Sequence, residues 1–331
     1  MNRWVRRPSA APALAVAVAT VVAAAAWGLA GVAGVPWATP GVPVLAPAAR
    51  AAEAGGQERF TPNGVVALMT DYGERDFYVG AIKGVALATF PDVKLVDITH
   101  QVQPYNIHEG AVTLWLAARE FPAGTVFVGV VDPGVGTERR PIVVETRNGH
   151  VYVGPDNGLF TLVMQEFGVK SVRHIINRSY MRPGPVSYSF HGRDIFTPVA
   201  AHLAAGWPVE AVGPEIGDYV RLAVEPAQQT EEALTGQIIF IDQYGNLQAN
   251  ITGEMVRRWG LQIGDQLVVQ VGNTAIPSVW VHTYGDVPEG EDLVFLASTD
   301  LVEIAVNMGS AKERFGASLG AKVTIKRRSG P

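Results

Sequence analysis

Between residues 61 and 225, short apolar runs alternate with stretches whose apolar positions recur at helical spacing. GVVALM (64–69), VKLVDI (93–98) and TVFVGVV (125–131) read as strands. Residues 77–90 read as a helix, and Ile107, Ala111, Leu114, Trp115 and Ala118 mark a second one. This β-α-β-α-β order predicts an α/β fold with a mainly parallel sheet flanked by helices. IVVET and HVYVG flank Asn148-Gly149, a hairpin signal. Two further helices are expected near 159–167 and 195–205.

Past residue 225 the pattern changes. AQQTEEA is a polar linker, and GQIIFID, LQANIT, QLVVQV, SVWVH, DLVFLAS and KVTIKR follow as short strand-like runs. Residues 233–328 therefore read as a second, β-barrel-like domain, with a helical hint only after Thr299.

The first 51 residues differ from both. Three arginines in MNRWVRRPSA precede an uncharged Ala/Val-rich run from Ala11 to about Val35, and Ala49-Arg50-Ala51 suits a signal peptidase. This reads as a signal peptide or, because the run exceeds the roughly 20 residues a span needs, a membrane anchor. Arg6-Arg7 hints at a twin-arginine signal. The expected location is outside the cytoplasm, secreted or membrane-anchored.

Charge and composition narrow the chemistry. The chain has no cysteine, which excludes disulfides, thiolate metal sites and cysteine nucleophiles. Residues 1–51 hold four of the 26 basic side chains and none of the 31 acidic ones, so the remainder carries net charge −9. An acidic protein without a basic stripe is a poor nucleic-acid binder, and a small molecule is the better partner. No P-loop, GxGxxG, GxSxG or HExxH pattern is present, and no metal site or cofactor is expected.

Ligands of parallel sheets bind beyond the carboxyl ends of the strands. Here those ends read MTDYG, VDITH and VVDPG, placing Asp71, Asp97 and Asp132 at three successive strand termini. Helix capping or turn formation explains any one of them equally well. VVDPGVGTERRPIVV (130–144) adds Arg139, for which a surface turn with a solvated ion pair is the plain explanation. GPDNG supplies Asp156 and Asn157, and FHGRDIF supplies His191, Arg193 and Asp194. Alone, His191 suits a hydrogen-bonded turn and Asp194 a helix N-cap. In FIDQYGNLQAN, a β-turn accounts for Asp242, Tyr244 and Asn246 as readily as a binding site does.

TDYG, VDPGVGT-x-R-R, GPDNG, FHGRDIF and IDQYGN, in that order, resemble the S-adenosyl-L-methionine (SAM) hydroxide adenosyltransferases, relatives of the fluorinase and chlorinase enzymes. The resemblance runs from about Val65 to Lys326. It implies an α/β domain followed by a β-rich domain, and a homotrimer with sites between neighbouring subunits. It further implies a water-activating triad of Asp132, Arg139 and His191, with the proton acceptor left open between His191 and Asp132. Asp71 would hold the ribose hydroxyls, and Tyr105 would form an aromatic wall beside them. Asp242 would take the methionine ammonium and Ser298 its carboxylate, while Tyr244 and Asn246 would hold the adenine. Asn157, in GPDNG, joins the substrate-binding set.

The halogenating relatives carry tyrosine where Asp132 stands, serine where Gly192 stands, and a long insertion in place of the ETRNGHV hairpin. The resemblance therefore implies hydrolysis of SAM to adenosine and L-methionine rather than halogenation. SAM is already an activated electrophile, because its sulfonium leaves without a general acid. The protein need only place and activate water in line behind C5′. A noncatalytic exported binder of SAM or adenosine is the alternative.

Overall fold

Valine, isoleucine and aromatic side chains on both faces of a strand demand cover on both faces, and the first domain supplies it. A computed structural model describes residues 59–328. Its first domain holds six strands, β1 (Val65–Thr70), β2 (Lys94–Thr99), β3 (Val126–Val130), β4 (Pro141–Thr146), β5 (Val151–Pro155) and β6 (Val169–His174). They lie in the order β2-β1-β3-β5-β4-β6. β2, β1, β3 and β5 run parallel, while β4 is antiparallel to both its neighbours.

Four helices cover the sheet: α1 (Tyr78–Thr89), α2 (Ile107–Ala118), α3 (Thr161–Phe167) and α4 (Thr197–Ala204). Val66, Leu68, Val128 and Val153 pack with Ile82 of α1 and Val199 of α4 on one face. Ala67, Met69, Phe127 and Tyr152 pack with Leu114 of α2 and Val163 of α3 on the other. The alternation along each strand thus serves two cores.

Strand order explains where a site can form. The chain leaves β1 through α1 to reach β2 on one side, then returns through α2 to β3 on the other. The reversal opens a crevice between the carboxyl ends of β1 and β3. Asp71 extends the ladder there, its N–H donating to Val130 O at 3.3 Å.

The Asn148-Gly149 hairpin forms between β4 and β5. Gly149 takes φ 83°, and Gly149 N–H closes the turn on Thr146 O at 3.2 Å. β6, at the far edge, was not anticipated from sequence. The helix expected over 195–205 begins as a π-helical turn at Gly192–Phe196 and becomes α-helical at Thr197.

The second domain is a seven-stranded barrel. β8 (Ala233–Ile241), β9 (Leu247–Thr252), β10 (Gln266–Val271), β11 (Thr274–Trp280), β12 (Asp292–Leu296), β13 (Leu301–Val306) and β14 (Lys322–Arg327) close through β8–β14 pairing. The two-residue β7 (Gln228–Gln229), inside the expected linker, pairs with the start of β8. Leu234, Leu247, Leu267, Trp280, Ile304 and Ile325 fill the barrel.

Two departures from expectation stand out. Residues 301–306, after Thr299, form a strand and not a helix. Helix α5 (Gly253–Trp259), capped by Thr252 Oγ1 accepting from Met255 N–H at 3.4 Å, was unforeseen. A short α6 (Ala311–Phe315) follows β13.

Candidate active site

The turn after β3 folds back on itself so that residue 139 meets residue 132. Val135 N–H donates to Asp132 O at 3.2 Å and Thr137 N–H to Gly134 O at 3.2 Å. Thr137 Oγ1 then accepts from Arg139 N–H at 3.3 Å. Gly136, at φ 78°, lets the turn pass so close to Tyr188 that a Cβ would lie 2.3 Å from the Tyr188 carbonyl oxygen. That approach locks the turn to the segment carrying His191.

The result is one assembly of the three side chains. Arg139 grips the Asp132 carboxylate with two N–H groups, Nε donating at 3.1 Å to Oδ1 and Nη2 donating to Oδ2. Nη2 also donates to His191 Nδ1 at 3.0 Å. Both charged side chains are deeply buried, Arg139 at 7% and Asp132 at 5% exposure, so this is no solvated surface pair. The guanidinium stacks over Phe196, 5.3 Å from the ring centroid. Arg139 Nη1 is buried without a partner among the described residues.

The hydrogen bonds fix the state of the imidazole. A guanidinium only donates, so His191 Nδ1 accepts, and the neutral ring carries its proton on Nε2. Burial pushes the His191 pKa below its ordinary 6.5, and the Arg139 charge pushes the same way, against opposing pulls from Asp132 and Asp194.

Asp194, expected as a helix N-cap, lies inside the π-helical turn instead. It accepts from Ser187 N–H at 2.9 Å and from Arg193, pinning the loop that presents His191. Arg140 plays a separate, structural part: it clamps Asp156 at 2.7 Å and Asp218 at 2.9 Å.

Asp71 stands across the crevice, half-buried. Its Oδ2 accepts from Tyr105 N–H at 3.0 Å. Burial raises its pKa, the Tyr105 N–H opposes the rise, and Asp132 adds a smaller upward push. Tyr105 adopts φ 68°, an unusual conformation for a bulky residue, and is 73% exposed. Asn157 sits after β5, but both ends of its amide serve the fold: Nδ2 donates to Val131 O at 2.8 Å, and Oδ1 accepts from Leu159 N–H at 3.2 Å.

The remaining predicted residues belong to the barrel. Asp242 organises the β8–β9 turn, accepting from Tyr244 N–H and Asn246 N–H at 2.9 Å each and from Asn246 Nδ2 at 2.9 Å. Tyr244 projects into solvent, and Ser298 is exposed in the β12–β13 turn. Among the described residues, no hydrogen bond joins this barrel group to Asp71, Asp132, Arg139 or His191.

Sequence reading missed two networks. In the barrel, Asn246 Nδ2 donates to Tyr284 Oη at 3.2 Å, Tyr284 donates to Glu303, and Gln248 Nε2 donates to Glu303 at 2.8 Å. Below Asp71, His100 is buried between Thr70 Oγ1 at 2.9 Å and Asp97 Oδ1 at 3.1 Å, with Lys83 on the same carboxylate. VDITH contained the clue for the second. Nothing local marks the first.

A doubly covered, mainly parallel sheet joined to a seven-stranded barrel, with a buried Asp-Arg-His assembly at the strand-order reversal, defines a two-domain small-molecule protein. The chain belongs to the SAM hydroxide adenosyltransferase family. The family's N-terminal domain matches residues 66–213 and its C-terminal domain residues 236–324. A protein of Salinispora tropica named (R)-S-adenosyl-L-methionine hydrolase is 37% identical, over 80% of this chain and 98% of its own length. A fluorinase of Actinopolyspora mzabensis is 28% identical, over 80% of this chain and 97% of its own. Among solved structures, an uncharacterized conserved protein from Thermotoga maritima superposes with a TM-score of 0.77 at 38% identity, covering 79% of this chain and all of that one.

The geometry makes a prediction for His191. Followed by NMR, its ring titrates below pH 6.5, and Arg139→Gln raises the midpoint, because the guanidinium leaves while Asp132 stays. A wild-type midpoint at or above 6.5 contradicts the assignment.

Proposed function

We propose that this protein hydrolyses SAM to adenosine and L-methionine, by in-line attack of an activated water at C5′. The observation that carries the reading is the buried Asp132–Arg139–His191 assembly with Arg139 Nη1 left partnerless. Buried donors are almost always satisfied, so an unused guanidinium N–H pair marks a place for an oxygen to be held.

In the reaction, the water oxygen bonds to C5′ as the C5′–S bond breaks, and sulfur keeps the electron pair as the neutral thioether of methionine. Arg139 stabilises hydroxide character on the water. His191 Nδ1 is occupied by Arg139, so the neutral imidazole orients the guanidinium and is not free there to take a proton. Asp132 keeps unshared lone pairs and is the better acceptor of the two. Across the crevice, Asp71 holds the ribose hydroxyls beside the Tyr105 wall. Asn157 supports this edge through the strand-end turn it stabilises. Asp242, Tyr244, Asn246 and Ser298 take the methionine and adenine ends.

A halide nucleophile is disfavoured, since Asp132 would repel an anion by several kcal/mol in a low-dielectric site.

The site is completed across the interface of a homotrimer. Two groups of binding residues on separate domains support this, as do the exposed aromatic side chains of Phe77, Tyr105, Tyr188 and Tyr244, which are surfaces to be covered. Export is proposed on composition alone, since residues 1–51 lie outside the described residues. No helix among those described is long and apolar enough to cross a membrane.

Three expected outcomes follow from this reading. Purified protein converts SAM to equal amounts of adenosine and methionine, and Asp132→Ala lowers kcat by roughly 10²–10⁴-fold with little change in SAM affinity. Tight binding of unchanged SAM would instead support an exported binder. Mixed trimers of Asp132→Ala and Asp242→Ala chains regain activity, and verified mixed trimers that stay inert rule out a shared site. Cell fractionation finds the protein in the membrane or the medium, any cleaved form beginning near Ala52. A full-length chain in the soluble cytoplasm refutes export.

A further inference from the structure

The assembly at Arg139 has a neighbour that none of the motif readings assigns. Tyr72 follows Asp71 at the carboxyl end of β1, and its turn is firmly held. Tyr72 N–H donates to Thr70 Oγ1 at 3.2 Å, and Gly73 N–H donates to His100 O at 2.7 Å. Thr70 and His100 are themselves buried and bonded to one another. The ring is fixed as well, with Phe190 edge-on at 5.9 Å and Tyr78 tilted at 5.9 Å. Backbone and ring together leave the phenol one place to point.

That place is Gly192, the residue after His191. A Cβ built on Gly192 would lie 2.3 Å from Tyr72 Oη and 3.3 Å from Cζ, so the hydroxyl rests where any side chain at 192 would begin. Tyr72 Oη makes no hydrogen bond to another described residue. A hydroxyl held by its ring and turn, beside the His191 backbone and without a partner of its own, is arranged to meet something from outside the chain.

We propose that Tyr72 is a further positioning residue of the nucleophile pocket: its hydroxyl hydrogen-bonds the attacking water, and its bulk against Gly192 sets the pocket's size. The inference rests on the hydrolysis reading above and deepens it. Burial, Asp71 and Asp132 all raise the Tyr72 pKa, and the opposing effect of Arg139 is smaller. The phenol therefore stays protonated at neutral pH. It takes no proton from the water, and its part is to orient the oxygen between itself and Arg139 Nη1. Gly192 is glycine because the hydroxyl needs its space.

Steady-state kinetics on SAM with wild type, Tyr72→Phe, Gly192→Ala and the double variant test this. Wild-type turnover is measured first, and an inert wild type overturns the hydrolysis reading and this inference with it. With an active wild type, Tyr72→Phe lowers kcat about tenfold and leaves KM within about twofold, as expected for a group that touches the water and not SAM. Gly192→Ala loses at least as much, because its methyl displaces the hydroxyl. The double variant is no worse than Tyr72→Phe alone, since the clash is gone. Unchanged kcat in Tyr72→Phe, a loss confined to KM, or single losses that multiply in the double variant would each overturn the proposal while leaving hydrolysis standing.

Discussion

A guanidinium that cannot shed its proton has been buried at the end of β3, and the site is organised around that constraint. Arg139 has five N–H donors and a charge that water no longer solvates. Three of the donors are met, two by Asp132 and one by His191. Removing either partner would leave a buried charge short of compensation, which is far more costly than breaking an exposed ion pair. The local backbone follows from this demand. The double turn from Asp132 to Arg139 needs Gly136, and the loop to His191 needs Asp194 anchored by Ser187 and Arg193. Only Nη1 is left over, buried and without a partner among the described residues.

The sheet supplies the second half of the arrangement. The crossovers from β1 and β2 go in opposite directions, and this opens the gap between the ends of β1 and β3. Asp71 and Tyr72 leave one strand there, and Asp132 leaves the other. Buried His100, bonded on its other side to the exposed Asp97, holds the β1 end through Thr70. Geometry at the crevice is thus set by two strands buried along almost their whole length, which suits a reaction that depends on placing one oxygen in line.

Legibility from sequence followed unbroken apolar runs. β1, β3, β4 and β5 could be read because both faces are packed and their apolar runs are unbroken. β6 could not, because it is an edge strand whose apolar positions are interrupted by Lys170, Ser171 and Arg173. β13 was obscured by Glu303, a buried acid whose partners, Tyr284 and Gln248, come from distant turns and strands. α5 has only seven residues and declares itself chiefly through its Thr252 cap. In the site, Asp132, Arg139 and His191 were legible only as members of an ordered set of motifs. No local feature distinguishes a solvated turn arginine from a buried one. Asp242 satisfied both the turn reading and the binding reading, since its carboxylate does build the turn. Tyr72 lies inside the TDYG motif, but its approach to Gly192, far along the chain, is not legible there.

The occupied Nδ1 of His191 changes what kind of catalyst this can be. A histidine base would have its lone pair aimed at the water, but here the lone pair is spent on Arg139, and the ring is kept neutral by burial. Asp132, the better-placed acceptor, is held by the same guanidinium through both of its oxygens. On the proposed reading Arg139 holds the oxygen as Asp132 takes its proton, and the sulfonium of SAM stabilises the developing negative charge until the C5′–S bond breaks. Pre-set donors of this kind need no rearrangement as the reaction proceeds. With a leaving group that departs unaided, that reading leaves the protein one chemical task, to activate and aim a single oxygen.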